Sequence, residues 1–378
     1  MIDTNTAFEK KTELLCKGLY LDKALIDHYR DQGIEIDFGR RAGAGPLGGR
    51  YFLLENQTLV NVALWDKKER TDLYLGEKDK EYFHVYDREN NELFCNLKLV
   101  PNPNYYDPSY TTSDGIPMRK IALVHGIDCL SSTIYQRCIY WACGEACKFC
   151  GIELSLQNDA TIEEKTYSQM NEVIAVAKKE GRCNHMTLTS GTDELDDKGA
   201  NRYIQMLKGI KKSYPDLPLH IQIEPLKELT YLKQLKSAGA DTIGIHLEIL
   251  DDTLRKEITP GKYNIPYSLF EENWKYALNV FGRNQVDSFI LTGFGESIDE
   301  FSAMIEPLIS IGVIPFITPV RSIPGRGVLP RTNPADLIEI YRRVARMMKQ
   351  FGVNPLENKA GCVKCGGCSA IKEAYLVI

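Results

Sequence analysis

The sequence predicts an α/β chain built on a parallel sheet of six strands with crossover helices, preceded by a smaller α+β module. Three observations carry this. From Ile121 onward, apolar β-like runs alternate with amphipathic helical stretches, the pattern of strands that need a crossover between parallel neighbours. At 378 residues, 43% hydrophobic and 26% charged, the chain has the composition of an ordinary globular protein and room for one large domain plus a smaller one. A stretch rich in proline and turn formers, residues 101–110, separates the two patterns because such residues stop regular structure.

In chain order, residues 1–110 open with a helical segment over about 7–31 and continue with short alternating segments such as 51–54 and 59–64. Between them, residues 40–49 are turn-rich. They lack the Lys-Ser/Thr of a phosphate-binding loop, so a loop packed on the barrel is expected there. The main unit is expected over 121–352, with strands at 132–137, 186–189, 220–224, 242–248, 286–291 and 314–318. Its first helix is expected to start at a capping box of Thr161 and Glu164, with Met170, Val173, Ile174 and Ala177 on one face. Its last helix starts at Asn333-Pro334 and runs through Leu337, Ile340, Tyr341, Val344 and Met348 to a stop at Gly352. A Cys-rich tail, 353–378, follows. No internal repeat or low-complexity segment is visible.

A formal net charge of −5 offers no basic footprint, so nucleic acid and anionic membrane surfaces are not expected partners. Small molecules or a protein are the expected substrates. The N-terminus has no long apolar core of a signal peptide and no apolar run is long enough to span a bilayer, which makes the cytoplasm the expected location. Eleven cysteines are unevenly placed, three within 143–150 and three within 362–368. Such spacing in a cytosolic chain points to metal ligation rather than disulfides. Scattered Cys16, Cys95 and Cys183 are expected to be small buried hydrophobes.

The spacing Cys143-x3-Cys147-x2-Cys150 places three thiolates so that they can hold one corner of a cubane while the fourth iron stays free of protein. Zinc competes for such thiolates, but a closed zinc site wants four N/S donors, usually in two separated pairs. With aromatic Phe149 before the last cysteine, and with its place after a first strand, this loop resembles the signature of the radical S-adenosylmethionine (SAM) superfamily. The resemblance implies a (β/α)6 partial TIM barrel, a [4Fe–4S] cluster whose open iron binds SAM, an electron donor such as ferredoxin or flavodoxin, and a 5′-deoxyadenosyl radical. It also implies SAM contacts at the carboxyl ends of the strands. These fall on Ser190, Gly191 and Thr192 after strand two, where the family's Glu is missing. They fall next on His246 and Glu248, which share one side of strand four with Gly244, and on Gly293, Gly295 and Glu296 after strand five.

The tail, Cys362-x2-Cys365-x2-Cys368-Ser369, has three thiols separated by glycines that let the backbone fold around a metal. A second Fe–S centre is expected, with Cys129 or Cys138 completing four-Cys ligation if the tail folds over the barrel mouth, or Ser369 as a weak ligand. A zinc knuckle is the competing reading. With residues 41–46 and 115–120, the tail resembles a biotin-synthase-like radical SAM subgroup. That subgroup includes proteins of nitrilase gene clusters and is similar to the two-protein lipoyl synthases. The latter kinship implies sulfur insertion into an octanoyl chain on a carrier protein, with a second radical SAM protein as partner. The rivals are oxidation or rearrangement of a small metabolite with an electron-carrying second cluster, and a non-catalytic Fe–S or zinc scaffold.

Overall fold

The computed structural model describes residues 2–31, 49–323 and 326–378; the turn-rich stretch 40–48 lies outside the described residues. The expected opening helix over 7–31 is two helices, Thr4–Lys17 and Lys23–Arg30, divided by strand β1 (Leu19–Tyr20). The carboxylate of Asp3 caps the first by accepting from the amides of Asn5 and Thr6. Gly18, at φ 66°, ends it. A side chain there would collide with the carbonyl of Ala63 and the indole of Trp65, so only glycine permits the turn.

β1, β2 (Gly49–Leu54), β3 (Leu59–Trp65), β4 (Leu73–Asp79), β5 (Tyr82–Asp87) and β6 (Leu93–Leu99) close into a barrel in the order β1-β3-β2-β6-β5-β4. Closure removes free sheet edges. Period-two alternation supplies its filling: Phe52 and Leu54, Val60 and Val62, Leu73 and Leu75, and Phe83 and Val85 are all buried. Residues 101–110 then hold a single 3₁₀ turn, Asn104–Tyr106, whose Asn104 and Tyr105 amides donate to the Glu180 carboxylate.

The second sheet is an open, curled half-barrel. β7 (Leu123–His125) runs antiparallel to β8 (Cys129–Thr133). From β8 the strands are parallel neighbours in chain order: β9 (His185–Thr189), β10 (Leu219–Gln222), β11 (Thr242–Gly244), β12 (Val286–Thr292) and β13 (Ile314–Pro319). All six expected parallel strands are present, with two changes. The first lies at 129–133 rather than 132–137, because Ile134 bonds back to Thr189 and Tyr135 leaves toward Glu164. The fourth stops at Gly244, and beyond it Glu248 makes only an isolated bridge to Ile290.

The strands alternate sharply. Met186, Leu188, Leu219, Ile221, Ile243 and Ile245 form one core with helix residues Met170, Val173, Ile174, Tyr203, Leu207 and Ile210. Burying each such side chain contributes about 1.5–3 kcal/mol. The opposite, concave side carries polar Thr187, His220, Gln222, His246 and Asp287, with aromatic Phe289 and Phe316 beside them. The helix over Tyr167–Lys179 buries the face expected of it. Its capping box, however, is Thr166 with Gln169; the Thr161 hydroxyl donates to the Lys120 carbonyl and Glu164 pairs with Arg202. The Pro334–Phe351 helix is capped by Asn333, ended by Gly352 at φ 68°, and buries Leu337, Ile340, Tyr341, Val344 and Met348.

The tail does not cover the barrel mouth. Gly361 donates its amide to His185 Nδ1, and Thr242 Oγ1 donates to Ala360; these two side chains start β9 and β11. The tail therefore seals the amino ends of the strands. The cause is topological: each helix returns the chain to the amino edge of a parallel sheet, so a segment following the last helix emerges there. Among the described residues no helix is long and apolar enough to cross a membrane.

Candidate active site

At the carboxyl ends of β9–β11 lies a cavity of ≈ 130 Å³. Its one wall is the cysteine loop, with Cys138, Tyr140, Trp141, Cys147, Phe149 and Cys150 reaching it. The loop is pinned by backbone bonds: Ile139 to Thr192 at 3.0 Å, Lys148 to Ile258 at 2.9 Å and Gly261 to Glu145 at 3.2 Å. Arg326 lies 4.6 Å over the Trp141 ring and donates to the Cys147 carbonyl at 2.8 Å. Cys147 is buried, Cys150 partly buried, and Cys143 exposed at the rim with its thiol 3.7 Å from the Tyr140 carbonyl.

The facing wall is built from strand ends. Ser190, Gly191, Thr192, His246 and Glu248 line the same cavity, together with Gln222, Glu224, Lys198 and Lys262. Gly191 has a steric reason: a Cβ there would overlap the Arg137 carbonyl oxygen, so glycine lets the strand-two loop close on the cysteine loop. Glu248 sits at φ 67°, a conformation costing about 1–3 kcal/mol for a non-glycine residue. Two sheet bonds hold it there, Glu248 N–H to Phe289 at 2.9 Å and Leu291 N–H to Glu248 at 2.7 Å.

Charge is arranged around one cation. Lys262 donates to both Glu248 oxygens at 3.0 Å and lies 3.9 Å from Glu224. Glu224 accepts from Thr192 Oγ1 at 2.8 Å and from the Tyr140 hydroxyl at 3.1 Å. Burial works against charging Lys262, but Glu248, Cys147 and Glu224 outweigh it and hold its pKa well above the usual lysine value. His246 Nδ1 accepts the Phe289 N–H at 3.1 Å, so a neutral ring carries its proton on Nε2.

The residues expected at strand five behave differently. Gly293 packs on Thr332, and the Glu296 carboxylate accepts from the amides of Gly293 and Phe294 at 3.3 and 2.9 Å. Glu296 is thus committed to its own loop, and none of Gly293, Gly295 and Glu296 reaches the cavity with the cysteines. Sequence reasoning missed Tyr140, Glu224 and Lys262. Glu224 had a readable signal, a carboxylate at the end of a strand; Lys262 had none.

The tail forms a second grouping. Buried Cys129, the first residue of β8, neighbours Cys365 and Cys362, which together with burial push its thiol well above the usual value. Gln222 Nε2 lies 3.7 Å from Cys362 Sγ, and Tyr51 Oη 4.0 Å from Cys368 Sγ. Cations surround it. Lys11, fully buried, donates to Gly366 O and Glu373 at 2.8 Å and faces Cys365 with Lys372. Arg321, beside Cys368, donates to Leu15 O and to the Asn61 carbonyl and side chain. The other two expected partners are elsewhere. Cys138 lies beside Cys150 at the carboxyl end, and the buried Ser369 hydroxyl bonds Tyr341 and the Ile371 amide.

Among the described residues no three histidine, cysteine, aspartate or glutamate side chains converge as a single metal ion requires. A cubane spreads its thiolates over separate corners and demands no such convergence. Donor type and placement fit a cluster: thiols at 143, 147 and 150 on one pinned loop, two of them facing a cavity with buried polar walls.

A half-barrel of parallel strands with a three-cysteine loop at its carboxyl edge defines a class of protein, and comparison with known proteins gives its likenesses. Residues 139–308, a little under half of the chain, match the family model of the Radical SAM superfamily, and the chain is consistent with that superfamily. The lipoyl synthase of Sulfolobus acidocaldarius is 26% identical over 182 residues, 45% of this chain and 56% of that protein; the match thus spans about half of the relative's length. Among solved structures, the FeFe-hydrogenase maturase HydG from Carboxydothermus hydrogenoformans aligns with TM-score 0.44 and 17% identity over 59% of this chain and 51% of its own. The cobalamin-dependent S-adenosylmethionine radical enzyme OxsB aligns with TM-score 0.35 and 14% identity, over 63% of this chain and 34% of its own. The matched family implies a [4Fe–4S] cluster, SAM and a reductant.

Proposed function

We propose that Cys143, Cys147 and Cys150 hold the SAM-binding [4Fe–4S] cluster, and that Cys129, Cys362, Cys365 and Cys368 hold a second Fe–S centre. With SAM on its open iron, such a cluster supplies a 5′-deoxyadenosyl radical, and a second centre supplies sulfur or carries electrons. The observation that carries the proposal is that the two cysteine groups sit at opposite ends of one polar-lined half-barrel, so a substrate between them faces both.

The chain's own residues then have distinct tasks. Phe149, Ser190, Gly191, Thr192 and His246 form the SAM pocket with Glu248. Lys262 bonds Glu248 and lies 3.9 Å from Glu224, keeping both carboxyl groups in place to receive the positively charged part of SAM. Tyr140 and Thr192 fix the Glu224 carboxylate. At the far end Lys11, Lys372 and Arg321 offset the negative charge of ligating thiolates.

The reaction read from this arrangement is sulfur insertion at an unactivated C–H bond, supported by the lipoyl synthase likeness. By analogy, the substrate is an octanoyl chain on a carrier protein, with a second radical SAM protein and ferredoxin or flavodoxin as partners. A second reading, oxidation or rearrangement of a small metabolite with an electron-carrying centre, is favoured by two features: a complete set of four cysteines at the tail and the polar concave face. Anaerobically reconstituted protein with dithionite should release 5′-deoxyadenosine from SAM, and Cys147→Ala should abolish the release; an unchanged yield sinks the cluster assignment. Mass spectrometry of an octanoylated lipoyl domain decides the reaction. Thiolation supports sulfur insertion, and SAM turnover without it supports the second reading.

A further inference from the structure

We infer that the middle of the half-barrel is a binding site for a small molecule carrying an amino group, held by the Asp287 carboxylate with His220 and His246 beside it. The inference rests on the preceding reading that the two centres occupy the two ends of this barrel. Asp287 and His220 are fully buried. Among the described residues neither Asp287 oxygen has a hydrogen-bond partner, and neither has Nε2 of His220 or of His246. Asp287 Oδ2 lies 3.8 Å from His220 Nδ1, a nitrogen that already bonds Thr242 Oγ1 at 2.7 Å, and Cys362 is a further charge-capable neighbour. Buried polar atoms are normally satisfied, and four orphans on three neighbouring side chains call for an explanation.

Register places these groups on the concave side. Gly244 pairs with both Gln222 and Asp287, so the three form one rung across β10, β11 and β12. A methyl group on Gly244 would lie 2.3 Å from His246 Cε1, 2.9 Å from His246 Nε2 and 3.2 Å from Asp287 Oδ1, so the imidazole and the carboxyl group meet directly over a strand glycine, a position where such close approach is tolerated. The same rung touches both ends of the barrel. Gln222 reaches Cys362 Sγ at 3.7 Å, while Gln222 and His246 line the cavity shared with Cys147 and Cys150. His246 also stacks on Phe289, at 4.3 Å and 25°, and Phe289 on Phe316, at 4.7 Å and 25°.

A carboxyl group with two unbonded oxygens, out of water and beside aromatic faces, is matched by an ammonium group. A ligand acceptor atom next to that ammonium would take the His246 Nε2 proton. An unsubstituted alkyl chain would leave all four polar atoms unmatched, so an amine site here favours the second reading, a small metabolite, over the octanoyl chain.

The test uses reconstituted holoenzyme with SAM, titrated calorimetrically with matched amines and alcohols from ethylamine and ethanol to octylamine and octanol. At least one amine should bind ten times or more tightly than its alcohol. Asp287→Asn should erase that preference, and Gly244→Ala, which pushes the His246 ring away from its place beside Asp287, should weaken amine binding even if Asp287→Asn does not fold. Equal binding of every pair, no binding of any amine, or a preference that survives in a folded variant overturns the inference. Release of 5′-deoxyadenosine by the native protein without amine is measured alongside. Release without amine preference defeats this inference alone, and absence of release defeats the reading beneath it.

Discussion

Lys262 donates to both carboxylate oxygens of Glu248 at 3.0 Å, tying the short helix Pro260–Tyr263 to a residue whose own backbone is strained at φ 67°. The pair is largely buried, with side chains 16% and 12% exposed. Removing the cation strands two carboxylates, Glu248 and Glu224. We expect Lys262→Met to cost about 3–5 kcal/mol of stability, as breaking one side of a buried pair does, and to abolish SAM binding. Lys262→Met with Glu248→Gln should recover much of the stability and none of the binding. Urea melts and equilibrium dialysis with labelled SAM separate the two effects.

Gly191→Ala should close the gap between the strand-two loop and the cysteine loop, because the added methyl overlaps a backbone carbonyl rather than a flexible side chain. We expect a loss of about 3 kcal/mol, at the upper end for overpacking, and a sharp fall in SAM affinity. A variant as stable and as tightly binding as the native protein would show that the loops have slack.

Iron content distinguishes the cysteines. Two cubanes require about eight irons per chain, and replacing Cys362, Cys365 and Cys368 together should leave about four. Cys129→Ala should lower the count or make the second centre labile. Cys138→Ala should leave the tail's share intact, because Cys138 sits at the opposite end of the sheet beside Cys150. A count unmoved by the triple replacement removes the second centre.

Lys165 predicts a pH dependence. It is buried, donates to Thr133 O and Ile162 O at 2.7 and 3.1 Å, and burial pushes its pKa down to about 7. Folding weakens its hold on a proton, so between pH 7 and the ordinary lysine value the unfolded chain binds more protons and stability rises with pH. The slope approaches about 1.4 kcal/mol per pH unit. The stability difference between native protein and Lys165→Met should grow in the native protein's favour from pH 7.5 to 9.5, and a flat difference would mean that Lys165 stays charged when folded.

Much of this was legible in the residues. Period-two alternation in 219–224 and 242–248 announces strands with one apolar and one polar side, and that polar side became the concave wall. The thiol spacing of 143–150 announced the cluster loop. Errors arose where local signals competed. Thr161 and Thr166 both offer a cap, and the hydroxyl of Thr161 found a tertiary carbonyl first. The run 132–137 is as β-prone as 129–133, but only the latter has sheet neighbours on both sides.

Residue identity and spacing alone determined the alternation of strands and helices, the helix caps at Asn333 and Gly352, and the two thiol-rich segments, because these depend on contacts within a few residues. Tertiary structure decided which end of the sheet the tail seals, that Cys129 rather than Cys138 joins it, and that Lys262 balances Glu248 and Glu224. Those outcomes depend on where the last helix delivers the chain and on charges far apart in sequence meeting out of water, and no local pattern encodes either.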